Sequence, residues 1–112
     1  MPDLPEINGG DADVLTETET KLEKPKLFRV LLHNDDFTTQ EFVVWVLETV
    51  FQKDAAEAHA IMLHVHHSGI GLAGLYTRDV AETKQKATQR LAEQQEFPLL
   101  VTVEPEPEGA TL

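Results

Sequence analysis

Apolar residues in the middle of the chain form short runs and helical spacings that predict its first two elements. The run KLFRVLLHN after Pro25 is short and bounded by polar turn residues, which predicts a strand at about 27–33. Thr38 and Glu41 form a capping-box signature ahead of a helix predicted at about 39–52. Its apolar positions are Phe42, Val43, Val46, Leu47, Val50 and Phe51.

The same reasoning predicts a second helix at about 55–67. Asp54 and Glu57 repeat the capping signature at its start, and Gly69 is a natural stop at its end. The inward face of this helix carries Ala58, Ile61, Met62 and Val65. The segment 71–76 that follows is typical of a short strand weakened by glycines.

A third helix and a last strand complete the pattern. The helix is predicted at about 79–95, capped by Thr77 or Asp79 and stopped by Pro98, and the strand covers about 99–103. The inward residues of the helix are Val80, Ala87 and Leu91. The order β-α-α-β-α-β predicts the fold class α+β, with a small antiparallel three-stranded sheet packed against three helices.

The two ends of the chain differ from this middle in composition. Residues 1–24 hold seven acids against two lysines, contain two prolines and lack aromatics. Such a segment buries too little apolar surface to offset its ordering entropy, so we expect a disordered acidic extension. We expect one folded domain over 25–104 and a second acidic, proline-containing tail over 105–112.

Charge and cysteine content exclude several classes of function. The formal net charge of −11 argues against nucleic acid and anionic membrane surfaces as partners. The absence of cysteine excludes disulfides and thiolate metal sites. The N-terminus has no basic and apolar signal-peptide pattern, and no apolar stretch is long enough to span a bilayer, so we expect a cytoplasmic protein.

The densest polar cluster is Asn34-Asp35-Asp36, at the junction of a strand and a helix. Carboxylate and amide oxygens there can accept hydrogen bonds from an ammonium group, which has three donors and no acceptor. The alternative is ordinary turn chemistry, in which Asn and Asp bond to the local backbone. The cluster alone leaves both interpretations open.

The histidines, the apolar stripe of the second helix and the known catalytic motifs give weaker indications of function. His59, His64, His66 and His67 include no pair with the i, i+4 spacing of a helical zinc site, so we expect no metal. Met62 and Val65 fit either an ordinary core or a cavity wall. The chain has no nucleophile elbow, phosphate-binding loop or dinucleotide fingerprint, so we expect neither enzyme activity nor a cofactor.

Several spaced motifs together resemble the ClpS family of adaptor proteins. The run Asn34-Asp35-Asp36-Phe37-Thr38 with Glu41-Phe42-Val43 is similar to the NDD-[YF]-T…EFV signature of that family. The blocks Met62-Leu63-His64-Val65-His66, Val80-Ala81-Glu82-Thr83-Lys84 and Pro98-Leu99-Leu100 are also similar. The resemblance covers about residues 25–104 in order.

The resemblance implies an adaptor that binds N-end rule substrates through a bulky N-terminal Phe, Tyr, Trp or Leu. Asn34, Asp36 and His66 would hold the free α-amino group. The side-chain pocket would be lined by Leu32, Thr38, Gln40, Val43, Met62, Val65 and Leu99. The adaptor would dock on the N-terminal domain of the ClpA unfoldase near Asp79 and Lys84, and the N-terminal extension would engage the unfoldase during delivery to ClpP. Independently of the resemblance, no helix shows a dimer seam, so we expect a monomer.

Two residues depart from the family pattern. Most members carry Met at the position of Gln40 and an apolar residue at the position of His33. We expect both changes to make the pocket rim more polar and to narrow the preference among Phe, Tyr, Trp and Leu. The competing hypotheses are a generic α+β interaction module without a pocket, and an enzyme or metal-binding protein that uses the His and Asp residues.

Overall fold

The computed structural model describes residues 24–107 and has the predicted element order. The six elements are β1 (Phe28–His33), α1 (Gln40–Thr49), α2 (Ala55–Ser68), β2 (Ile70–Tyr76), α3 (Arg78–Gln94) and β3 (Leu100–Pro105). β1 lies between β2 and β3 and is antiparallel to both, so the predicted α+β fold is confirmed. Apart from Lys24, the predicted extension 1–24 lies outside the described residues, as does 108–112 of the predicted tail.

One face of the sheet is buried because side chains alternate along each strand. Val30 and Leu32 of β1 and Val101 of β3 are buried on this face, where the helices pack. They join one apolar core with residues of the three helices and of the loops beside them, which are Phe42, Val43, Val46, Leu47, Phe51, Ala58, Met62, Val65, Ala81, Ala92 and Leu99. No helix within residues 24–107 combines the length and the apolar character needed to cross a membrane.

Capping residues fix the ends of α1 and α2. Asp54 accepts a hydrogen bond from the Glu57 amide at 2.8 Å, and Gly69 ends α2 with a φ of 90°, as predicted. The predicted capping box at Thr38 is wrong by one residue. The N-cap of α1 is Thr39, whose hydroxyl accepts from the Phe42 amide at 3.1 Å, because the Thr38 hydroxyl already donates to Asp35.

The inward face of α3 was predicted incorrectly at Val80. That side chain is 42% exposed, and the helix buries the smaller residues Ala81, Thr88 and Ala92 instead. Small side chains let the helix approach the sheet closely, and the buried Thr88 hydroxyl donates to the Lys84 carbonyl at 2.9 Å. A prediction based on apolar character alone therefore chose Val80, whereas the buried residue is its neighbour Ala81.

The last strand extends two residues beyond its predicted end. Pro105 pairs with Phe28, and the Glu106 amide donates to the Leu27 carbonyl at 2.8 Å. Proline is tolerated there because β3 is an edge strand, where an amide can be missing without breaking the ladder.

Lys84 connects α3 to the end of α1. Its ammonium donates to the Val50 carbonyl at 2.6 Å and to Oε1 of Gln52 at 3.0 Å. It also lies 6.0 Å from the ring centre of Phe51 and 5.4 Å from that of Tyr76. A cation at the C-terminal end of a helix satisfies a free carbonyl and complements the helix dipole.

Removing this cation should destabilise the domain. We expect Lys84→Met, which keeps the apolar stem, to lower the free energy of unfolding by about 1–2 kcal/mol, because a carbonyl and an amide lose a charged donor. Lys86→Met, a matched change at an exposed position of the same helix, should cost less than about 0.5 kcal/mol. Urea unfolding of the wild type and both variants checks this. A Lys84→Met variant as stable as Lys86→Met would refute a structural role for Lys84.

Candidate functional site

The turn between β1 and α1 is fixed by Asp35. Its Oδ1 accepts from the Phe37 and Thr38 amides at 2.8 and 2.7 Å, and its Oδ2 accepts from the Thr38 hydroxyl at 2.7 Å. Partial burial raises the pKa of the Asp35 carboxyl, but these three hydrogen bonds outweigh it and hold the pKa below its usual value. The carboxylate of Asp35 therefore organises the turn and has little capacity left for a ligand.

A backbone bond brings this turn to the end of α2. The Asn34 amide donates to the Gly69 carbonyl at 2.9 Å, immediately after the residue range of α2. His66 lies in the last turn of α2 and is exposed, as are the side chains of Asn34 and Asp36. Within residues 24–107, none of these three side chains is engaged in a hydrogen bond with another residue. Polar groups that are distant in sequence thus meet with their hydrogen-bonding capacity unused.

These side chains open onto one cavity of about 220 Å³. It is lined by Asn34, Asp35, Asp36, Thr38, Gln40, Val43, Met62, Val65 and His66. Val43, Met62 and Val65 belong to the apolar core cluster, so the cavity has an apolar wall as well as a polar one. This combination suits a small ligand that carries a bulky apolar group beside a hydrogen-bond donor.

The structure brings together eight of the predicted site residues and leaves others outside the cavity. Leu32 and Leu99 are 0% and 4% exposed and pack in the core without lining the cavity. His33 was predicted at the rim, which is wrong. Its Nε2 lies 2.8 Å from the Thr102 hydroxyl of β3. Side chains alternate along β1, so His33 lies on the face of the sheet opposite to the buried residues Val30 and Leu32. Strand periodicity alone could have assigned His33 to that face.

Asp79 and Lys84, the predicted unfoldase contacts, both lie on α3 and line no part of the cavity. Asp79 is exposed in the first turn of α3. Lys84 is half-buried, and its ammonium bonds to residues at the end of α1. Lys84 therefore has a structural function in this chain whatever partner it meets.

The sequence left turn chemistry open for the whole Asn34-Asp35-Asp36 cluster and did not single out Asp35 as the residue that positions the turn. The signal that could have done so is Thr38, because Asp followed by Thr at the third position commonly closes a local side-chain turn. Among the described residues, no group of three or more His, Asp or Glu side chains is arranged to hold a metal ion.

The fold and the cavity together define a small α+β domain whose cavity has one polar and one apolar wall. The chain belongs to the ClpS family, because the family model described as ATP-dependent Clp protease adaptor protein ClpS matches residues 23–102. ClpS proteins are adaptors of the Clp protease, and the predicted family membership is confirmed.

Individual relatives agree with this assignment. A ClpS adapter protein of Desulfatibacillum aliphaticivorans is 55% identical over 94 residues, which cover 84% of this chain and 90% of that relative. One from Deinococcus radiodurans is 51% identical over 109 residues, covering 97% and 95% of the two chains. The solved structure of Agrobacterium tumefaciens ClpS2 bound to L-phenylalaninamide is 41% identical, with a TM-score of 0.71, and covers 74% of this chain and all (100%) of that one.

The lowered pKa of Asp35 predicts a pH-dependent contribution to stability. A carboxyl whose folded-state pKa is depressed stabilises the fold above its unfolded pKa of about 3.8 and loses that effect as the pH falls through the folded value. Asp35→Asn should therefore cost about 0.5–1 kcal/mol at pH 7, a modest value because the carboxylate is partly exposed, and progressively less below about pH 4.

Urea unfolding at several pH values measures this difference. Asp36→Asn is the matched control, because the exposed Asp36 side chain bonds to no other residue in the described part of the chain, and it should change stability by less than about 0.5 kcal/mol. A constant difference between wild type and Asp35→Asn from pH 7 to pH 3 would contradict the assignment.

Proposed function

We propose that this protein is a cytoplasmic, monomeric adaptor that binds proteins through a bulky N-terminal Phe, Tyr, Trp or Leu and delivers them to the ClpA unfoldase of the ClpAP protease. The observation that carries the proposal is the cavity beside Val43, Met62 and Val65, with Asn34, Asp36 and His66 at its polar wall. The phenylalaninamide bound by the Agrobacterium ClpS2 has a free α-amino group and an apolar ring, which match these two walls in kind.

The polar wall explains how a chain end would be selected over an internal residue. An α-ammonium carries a positive charge and three N–H donors, whereas an internal amide has one donor and no charge. The Asp36 carboxylate, the Asn34 carbonyl oxygen and a neutral His66 ring nitrogen are all acceptors, and they line the same cavity. An internal residue would leave some of these acceptors without partners, because its single amide donor cannot satisfy all three.

The apolar wall explains the preference for a large side chain. Burying a Phe or Leu side chain contributes about 1.5–3 kcal/mol, which Ala or Gly cannot supply. A cavity of about 220 Å³ is smaller than the roughly 300–1,000 Å³ of pockets that hold drug-sized ligands. It suits one residue better than a peptide segment, so the first side chain would supply most of the apolar contact.

A separate surface would contact the unfoldase. We propose that Asp79, Lys84 and neighbouring exposed residues of α3 dock on the N-terminal domain of ClpA, and that residues 1–24 take part in delivery. Docking at α3 would leave the cavity accessible, since its lining comes from the β1–α1 turn, α1 and α2.

Peptide binding tests the proposal directly. A fluorescently labelled peptide that begins with free Phe should bind, and its N-acetylated form should bind at least about tenfold more weakly, because the charge and two donors are lost. Asp36→Asn, which keeps the side-chain shape, should weaken binding of the free peptide by about tenfold. Fluorescence anisotropy measures both effects.

Asp79→Asn is the matched control for that experiment. It removes the same charge at a site outside the cavity, so it should leave peptide affinity unchanged and weaken binding to the ClpA N-terminal domain. Asp36→Asn should instead weaken peptide binding and leave binding to the ClpA N-terminal domain unchanged. Equal affinity for free and acetylated peptides would overturn the proposal and favour a generic interaction module.

Gln40 provides a test of side-chain selectivity. It lines the cavity at the first residue of α1, at the position where the family resemblance led us to expect Met. We expect Gln40→Met to raise affinity for Leu and Phe peptides by about two- to fivefold relative to Tyr, because an amide at the rim favours a side chain with a hydroxyl. Competition binding with Phe, Tyr, Trp and Leu peptides checks this, and an unchanged ranking would exclude Gln40 as a selectivity residue.

A further inference from the structure

A second cavity, of about 310 Å³, lies beside the first. It lies between α1 and α2 and is lined by Gln40, Glu41, Val44, Trp45, Glu48, His59 and Met62. Gln40 and Met62 line both cavities, so the two are adjacent and share a wall. We call this second cavity the Trp45 groove.

Helix geometry arranges the charges of the Trp45 groove. Glu41, Trp45 and Glu48 are separated by four and three residues, which places them on one face of α1 with a carboxylate on each side of the indole. Trp45 is 45% exposed, so part of its ring is available to a ligand. The ring is also supported from within, because its centre lies 5.9 Å from that of the buried Phe42.

We propose that the Trp45 groove binds a Lys or Arg side chain at position 2, 3 or 4 of a substrate whose first residue occupies the neighbouring cavity. This inference rests on the proposed function and adds a second recognition element to it. It predicts that substrates are distinguished by a basic residue close to the N-terminus as well as by the N-terminal residue.

The dimensions of the groove support these positions. Gln40 and Glu48 are eight residues apart on α1, a distance of about 12 Å at 1.5 Å per residue. An extended peptide advances about 3.3–3.6 Å per residue, so about three residues after the first would span the groove. A peptide that leaves the first cavity across Gln40 and Met62 would therefore pass the indole within those positions.

The chemistry of the walls favours a basic side chain. The aliphatic stem of Lys or Arg can pack on Val44 and Met62 while its charged end meets the carboxylates and the face of the indole. An acidic side chain would meet like charges from Glu41 and Glu48. The formal net charge of −11 attracts cationic segments in general, but that attraction does not depend on position.

Position dependence is therefore the decisive measurement. We compare the affinity of a Phe-initiated alanine-serine peptide with variants that carry a single Arg at position 2, 3, 4 or 8. Arg at one of positions 2–4 should tighten binding by about three- to tenfold, and Arg at position 8 by less than about twofold. The increase in affinity that Arg gives at these positions should fall to less than about twofold in Trp45→Ala. The same increase should also become smaller in Glu48→Gln and at high salt.

Controls separate this inference from the proposed function. Glu93→Gln removes one exposed carboxylate of α3, outside the Trp45 groove, and should retain the full gain. A gain of the same size at position 8, or one that persists in both Trp45→Ala and Glu48→Gln, would overturn the inference while the Arg-free peptide still binds. Failure of the Arg-free Phe peptide to bind any variant would instead overturn the proposed function.

Discussion

The site depends on one turn, in which Asp35 bonds to the Phe37 and Thr38 amides and to the Thr38 hydroxyl. This turn begins α1 at its N-cap Thr39 and directs the side chains of Asn34 and Asp36 towards one cavity. The bond from the Asn34 amide to the Gly69 carbonyl then fixes the turn against the end of α2, which carries His66. Polar side chains on two separate elements are therefore brought to one cavity by hydrogen bonds that leave the atoms of those side chains free.

The separate roles of Asp35 in the turn and of Asp36 at the cavity have a physical advantage. Binding an ammonium group away from water is costly unless several acceptors are already in place. Asp35 accepts three hydrogen bonds within the turn and so supplies rigidity, whereas the exposed Asp36 side chain bonds to no other described residue. The apolar side chains beside them are part of the protein core, so the wall that would contact a bulky side chain is as rigid as the fold itself.

Elements governed by local chemistry were predictable from the sequence, and elements governed by contacts across the fold were less so. Asp54 and Gly69 delimit α2 as expected, because capping and positive φ are properties of single residues. The exposure of Val80 and the orientation of His33 depend on which face meets the sheet. The prediction that Asn34, Asp36 and His66 lie together came from the family resemblance, since no local rule brings residue 66 close to residue 34. The engagement of Lys84 with Val50 had no sequence signal.

A crystal structure of this protein with a peptide that begins with a free Phe would test the proposed amino-group site most directly. We expect the peptide's amino nitrogen within about 2.7–3.2 Å of oxygen or nitrogen acceptors of Asn34, Asp36 and His66, with the phenyl ring against Val43, Met62 and Val65. An amino group that points to solvent, or a peptide bound elsewhere on the domain, would contradict it.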